Sequence, residues 1–496
     1  MIRSVHSALD VRQVCDEIME VKLCGLDTSV EESSEDGTLV SPTKQAIPKY
    51  NPNQRRDRKI SATFMSIEQL KKHGEKIGRS HELIYSGQVH EDDIAEVVIV
   101  CEPDLSNNVM GSIHPHGALY EKPVNVHHSS EQHRGFREAM RDHGVHCLTV
   151  HQILMHNTDK KLRARTELET LAASRLTYTL DHSHDINELT EEDLYFLSEK
   201  YKAQVLETMS TEHLIDMIMT IPTVYLKPSL RDTGFTATYQ FEPLTNMQYT
   251  RDQQITTARG IVMGRLRSLQ RQNEVELMRF CFDKLGLEVI GTVKEPGFLE
   301  GGDFYPAGKG LCMLGVGLRS NVEAAEQLML EDLFGTQRVA VVHDLFEQDQ
   351  ARMHLDCIFN ILGRDVVVLA EDVIGDEAPL RRLVTEYVRD PSPKGVKDPK
   401  LGKYKISREG VEFSRYLKEN GFTIIPLSRQ QQLEYGCNML NLGNGDIIAC
   451  HSDACREVIK SGAFKGNIEL VEFGSITAMY GGLHCSSQVV RRRAPT

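Results

Sequence analysis

The sequence predicts an α/β protein assembled from repeated modules, each a pair of strands followed by a helix. Three observations carry that expectation. The run Ala95-Glu-Val-Val-Ile-Val-Cys101 is a short stretch of strand formers of the kind buried in an α/β sheet. In the C-terminal half a polar cluster opening a strand, a Gly-containing turn and a second apolar strand recur four times, at 246–264, 301–317, 354–370 and 436–450. Helical patterns such as 322–333 and 411–420 separate some of the copies. A strand pair plus helix at a near-constant period means quasi-equivalent modules.

Taken from the N-terminus, residues 1–30 have the spacing of one or two short amphipathic helices. Residues 31–60 are rich in Ser, Pro, Asn and charge and predict a linker or disordered segment. Ser66 with Gln69 forms a capping-box signal for a helix running to about Gly78. We therefore expect 1–90 to be an N-terminal extension, partly disordered, serving either as a regulatory or assembly arm or as a loose tail. The α/β body begins at 91–156. Over 157–225 segments such as ELETLAASRL and TEHLIDMIMT carry apolar residues at helical spacing, and Ser210-Thr-Glu-His213 could cap the last of them. That stretch predicts a helical subdomain inserted into the body, which resumes over 226–496. Asp252, Asp303 and Asp356 recur at 51 and 53 residues, but Asn438 follows only after 82, a gap holding a Pro/Lys-rich insertion at 390–405.

The chain has 496 residues, 40% hydrophobic and 26% charged, enough for a sizeable core. Its formal net charge of −14 argues against general nucleic-acid binding, which needs a basic face. No apolar run approaches a membrane span, and the acidic N-terminus suits neither a signal nor a transit peptide. Eleven cysteines without metal-type pairs suggest reduced thiols and a cytoplasmic location.

If the modules close around an axis, their first strands lie side by side and the polar residues that open them converge. Asn246, Asp252, Glu300, Asp303, His354 and Asp356 all titrate or hydrogen-bond. Each alone has an ordinary explanation. Asp252 could pair with its neighbour Arg251, Glu300-Gly-Gly-Asp303 could be a tight turn, His354 a core histidine and Cys485 a buried structural thiol. Their recurrence at equivalent places favours a shared pocket. Several carboxylates, one His and one Cys suit attack on a cationic, planar carbon. Carboxylates pair bidentately with a guanidinium, the substrate's charge favours the thiolate, and a histidine can carry protons to a leaving amine and from a water. A metal centre is not expected. His354-Leu-Asp356 lacks a second His two residues on, and neither His114-Pro-His116 nor the group His143, His146, Cys147 and His151 has a standard ligand spacing.

In order, Asn246-Met-Gln-Tyr-Thr-Arg-Asp252, Glu300-Gly-Gly-Asp303, His354-Leu-Asp356 and Gly481-Gly-Leu-His-Cys485 resemble the motif set of arginine deiminases, across roughly residues 95–490. The resemblance implies a five-module pseudosymmetric α/β-propeller of the guanidino-group-modifying superfamily. It also implies hydrolysis of L-arginine to L-citrulline and ammonia without metal or organic cofactor. By the same resemblance Cys485 is the nucleophile that forms a thiouronium intermediate and His354 the general acid/base, with Glu300 as its partner. Asp252 and Asp356 would grip the guanidinium, Arg271 and Arg319 would hold the α-carboxylate, and Asn246 is a substrate-binding amide. Two departures stand out: Tyr249 where the family usually has Phe, and Met479-Tyr480 where some members carry an arginine.

The competing readings are a related guanidine-modifying enzyme (methylarginine hydrolase, agmatine deiminase or amidinotransferase) and a non-catalytic arginine sensor. Arg271 and Arg319 count against agmatine, and the inserted subdomain against compact methylarginine hydrolases. A complete Cys/His/Glu/Asp/Asp set counts against a sensor. The expected partners are the small-molecule substrate and further copies of the chain in a homo-oligomer, with neither nucleic acid nor membrane.

Overall fold

The computed structural model describes residues 86–229, 233–390 and 400–495. The expected N-terminal extension up to residue 85, and most of the 390–405 insertion, lie outside the described residues. Strand β1 (Ile94–Val100) includes the buried apolar run, with Val98, Ile99 and Val100 fully enclosed. A helix, Val126–Asp142, follows; Asn125 caps it by accepting from the amides of His127 and His128. The chain then returns as β2 (His146–Thr149), parallel to β1.

The stretch 157–225 carries the helices Leu162–Arg175, Glu191–Phe196, Glu199–Glu207 and Thr211–Thr220, the last capped by Ser210. It is not helical throughout. Strands β3 (Thr177–Leu180) and β4 (Pro222–Ser229) run parallel, and β5 (Gly234–Phe241) pairs antiparallel with β4, so a small sheet crosses the expected boundary at 225. These strands are half-exposed without alternation of burial, and β4 contains Pro222 and Pro228, features that mute a strand signal.

The four recurring segments form four antiparallel hairpins, each followed by a helix and a third strand parallel to the second. In chain order the first is β6 (Gln254–Thr256) and β7 (Ile261–Met263), with β8 (Val289–Thr292). The second is β9 (Phe304–Gly308) and β10 (Leu311–Val316), with β11 (Arg338–His343). The third is β12 (Phe359–Ile361) and β13 (Val366–Ala370). Before its third strand a further hairpin, β14 (Leu383–Arg389) and β15 (Tyr404–Glu412), extends the preceding sheet through β11. Only then does β16 (Thr423–Leu427) complete the unit beside β13, which accounts for the long gap between Asp356 and Asn438. The fourth is β17 (Leu440–Gly443) and β18 (Asp446–Ala449), with β19 (Asn467–Leu470). Finally β20 (Gln488–Arg493) runs antiparallel to β1, so β20, β1 and β2 repeat the same pairing pattern.

The core lies between units. Val97 and Ile99 pack with Ile261 and Met263, Ile255 and Val262 with Phe304 and Leu314, and Tyr305 and Met313 with Phe359 and Leu369. Leu362 and Val368 pack with Met439 and Ile447, and Leu440 and Ile448 with Val98 and Val100. Each fully buried aliphatic side chain contributes roughly 1.5–3 kcal/mol. The starts of the first strands are thereby held in rigid surroundings. No helix among the described residues is long and apolar enough to cross a membrane.

Candidate active site

The polar residues that open the first strands meet. Asp252 precedes β6, Glu300 and Asp303 precede β9, His354 and Asp356 precede β12, Asn438 precedes β17, and Cys485 precedes β20. One narrow pocket is lined by Asn246, Asp252, Arg271, Arg319, His354 and Cys485, with Tyr249, Gln350 and Tyr480 among its other walls. Glu300 and Asp356 are not on that wall. Glu300 backs His354, its Oε2 lying 2.8 Å from His354 Nε2. Asp356 sits beside the thiol, with Oδ2 3.4 Å from Cys485 Sγ.

Glycines make this convergence possible by lacking a Cβ. At Gly301 a Cβ would stand 1.9 Å from the carbonyl oxygen of Arg251, and at Gly302 one would stand 2.7 Å from His354 Nδ1. In the thiol loop the corresponding intrusion at Gly482 would lie 2.6 Å from Asn438 Oδ1. The motif glycines therefore serve close approach of neighbouring strand starts. The same loop holds Tyr480 at φ 68°, a left-handed conformation costly for a tyrosine and typical of strain kept at functional sites. Tyr249 anchors this loop by donating its hydroxyl to the carbonyl of Ile476 at 2.8 Å, a contact that phenylalanine could not make.

Electrostatically the pocket is built around carboxylates. Burial disfavours the His354 imidazolium, but Asp252 and the hydrogen bond with Glu300 outweigh it and lift its pKa to about 10. Burial likewise disfavours the Glu300 carboxylate, yet His354, with the charges of Arg319 and Arg271, holds it at about 2. Asp303 follows its burial and rises to about 7; it accepts from Ser320 Oγ at 2.6 Å and from the Leu355 amide at 2.9 Å. Burial pushes the Cys485 thiol well above its usual value, and Asp356 adds to that. Asp252 Oδ1 and His354 Nδ1 lie 3.9 Å apart, both buried without a hydrogen-bond partner among the described residues.

The two arginines are held differently. Arg271 donates through Nη1 to Asp252 Oδ2 at 2.8 Å and through Nη2 to Glu274 Oε2 at 2.9 Å. Arg319 donates through Nη2 to the neutral amide of Gln350 at 2.9 Å, with Glu300 4.0 Å from its Nη1. Asn246 turns its amide nitrogen to the carbonyl of Ala118, 2.9 Å away.

Reading the sequence assigned no role to three residues that touch this constellation. Asn438 donates to Cys485 Sγ at 3.1 Å and accepts from the Cys485 amide at 3.2 Å. Its place in the fourth hairpin, equivalent to that of Asp356 in the third, was the available signal. His484 lies beneath, with Nδ1 2.8 Å from Asp356 Oδ2 and its ring stacked on Tyr305 at 5.1 Å. Gln350 had no motif around it.

Asp252, Glu300 and His354 present donor atoms within 4.8 Å of one another, the one such group among the described residues. The Arg271 guanidinium, 2.8 Å from Asp252, already supplies a cation to that carboxylate. The sequence group around His143 does not gather: His143 faces Glu469 and Asp446, while Cys147 is buried in β2.

Among known proteins, the family model for arginine deiminase matches residues 117–492. An arginine deiminase of Halobacterium salinarum is 24% identical over 340 residues, which covers 53% of this chain and 67% of that protein. One of Staphylococcus haemolyticus is 22% identical over 356 residues, covering 68% and 81%. Among solved structures, the N-terminal domain of ArgZ, an arginine dihydrolase from the ornithine–ammonia cycle in cyanobacteria, aligns at a TM-score of 0.46 and 13% identity, covering 81% of this chain and 98% of that one.

Proposed function

Because the chain belongs to the arginine deiminase family, we propose that it hydrolyses L-arginine to L-citrulline and ammonia with Cys485 as nucleophile. The observation that carries this reading is the meeting of Cys485, His354 and Asp252 on one pocket wall, backed by Asp356 and Glu300, from strand starts far apart in sequence.

In this mechanism the substrate guanidinium enters among Asp252, Asp356 and the thiol, with its α-carboxylate toward Arg271 and Arg319. Its positive charge offsets the burial that holds the Cys485 proton, which passes to solvent as the substrate enters, and the resulting thiolate attacks the guanidinium carbon. His354, charged below a pKa of about 10, gives a proton to the departing amine, so that ammonia leaves a thiouronium bound to sulfur. The imidazole, now neutral, takes a proton from a water that adds to the same carbon. Collapse breaks the C–S bond, the adduct's hydroxyl proton passes to the departing Cys485 sulfur, and citrulline is released with the thiol restored. Glu300 stabilises the imidazolium at each protonated stage.

We further propose that the five strand-pair units close as a five-module propeller. The paired cores, in which the unit of β20, β1 and β2 packs on the first hairpin unit at one side and on the fourth at the other, support that arrangement.

The test is a product assay. Incubation with arginine, agmatine and dimethylarginine should yield citrulline and ammonia from arginine at the highest kcat/KM, and no ornithine. Prolonged chelation should leave that rate unchanged, and a loss restored by manganese or zinc would overturn the metal-free mechanism.

A further inference from the structure

We propose that Gln350 is a positioning residue that sets this pocket for a substrate ending in a carboxylate, by aligning Arg319 without neutralising it. The inference rests on the deiminase reading above.

Arg319 is the less committed of the two cations in the pocket. Its side chain is 8% exposed. Its Nε is buried and unpartnered among the described residues, and its Nη2 is held by Gln350 Oε1 at 2.9 Å. Arg271, in contrast, is already bonded to Asp252 and Glu274. Glu300 lies 4.0 Å from Arg319 Nη1, beyond hydrogen-bond distance and itself bonded to His354, so Arg319 keeps more of its fork for a substrate carboxylate than Arg271 does.

Gln350 is well mounted for such a task. It opens the turn Gln350–Arg352, where Asp349 caps the amide of Ala351 at 2.9 Å. Arg352 pins the turn by donating to Gln432 at 2.8 Å and to Asp372 at 2.7 Å. The Gln350 amide nitrogen faces Met353 Sδ at 3.4 Å, so its oxygen is the atom presented to Arg319.

A neutral acceptor orients a guanidinium fork while leaving its charge for the ligand; a carboxylate at the same place would pair with the fork and cancel it. The amide thus favours arginine over agmatine, whose corresponding end is an ammonium-bearing carbon without a carboxylate.

The experiment measures kcat and KM for arginine and agmatine in wild type, Gln350→Glu and Gln350→Met. In Gln350→Glu the arginine-to-agmatine ratio of kcat/KM should fall by about 100-fold, with the loss on arginine carried by KM. In Gln350→Met, which keeps the length and removes the acceptor, KM for arginine should rise by about 5–10-fold while kcat changes much less. An unchanged ratio in Gln350→Glu, or equal losses on both substrates, would overturn the inference. Arg319→Ala measured alongside separates the two levels. If it too fails to discriminate between the substrates, the carboxylate-binding reading is overturned; if it discriminates and the Gln350 variants do not, the Gln350 inference alone falls.

Discussion

The thiol side and the imidazole side of the pocket are equally buried, yet burial wins at one and loses at the other. Around Cys485 burial and the negative charges of Asp356 and Asp252 act in the same direction, so the proton is held. Around His354 burial is overridden by Asp252 and Glu300, so the proton is held there too. The common element is a set of carboxylates that favours any cation and disfavours any anion. On the proposed mechanism the difference means that the pocket keeps its acid charged and its nucleophile protonated until a cation enters among these carboxylates.

The sharpest way to break the comparison is to remove the dormant partner. Cys485→Ser should lower kcat by at least about a thousand-fold while arginine still binds, as isothermal titration would register. Citrulline formation at near wild-type rate would remove the nucleophile assignment.

Next comes the group that holds the acid. In Glu300→Gln the imidazolium loses its hydrogen-bonded anion, so the His354 pKa drops and the alkaline limb of the kcat/KM profile moves to lower pH. Its kcat should fall about a hundred-fold, within the usual range for general acid–base catalysis. An unmoved alkaline limb would detach Glu300 from His354 in function.

Arg319→Ala tests the far end of the pocket. A desolvated charge-assisted contact is worth roughly 1.5–3 kcal/mol, so kcat/KM for arginine should fall by about one to two powers of ten, and that for agmatine far less.

The smallest effect concerns stability. His354 has a folded pKa raised to about 10, so its contribution is complete below its ordinary 6.5 and is lost as pH climbs through 10. Asp303, raised from 3.8 to about 7, makes the fold less stable as pH rises across that interval. Buried His90 and His133, lowered to about 4 and about 3, act in the opposite direction only up to pH 6.5, so thermal midpoints should decline from about pH 6.5 to pH 9. Asp303→Asn should remove its own share of the pH dependence below pH 7, a few degrees, given roughly 2–4 °C per kcal/mol in large domains. An identical slope in the variant would show that Asp303 does not titrate there.

Much of this was legible in the sequence because strand pairing and chemistry share one pattern. The four hairpins were visible as recurring segments, and the residues opening them are those that line or back the pocket. What stayed hidden has physical reasons. Strand β20 (Gln488–Arg493) consists entirely of Gln, Val and Arg, and its partner β1 lies at the other end of the body, so no local period links the two. Strands β3 to β5 pack one face weakly and leave little alternation to detect. Gln350 and His484 act through contacts between units, which no spacing along the chain encodes.

The pairing of Val98 with Val489 has a consequence for synthesis. Cys485 stands three residues before β20, so its position beside Asp356 depends on a strand synthesised after the other described ones. Until that strand docks along β1, a nascent chain holds His354 and the carboxylates but no thiol aligned beside them. Contacts of such long sequence separation form late and slowly. On the proposed mechanism, arginine turnover should therefore begin only once β20 has docked along β1.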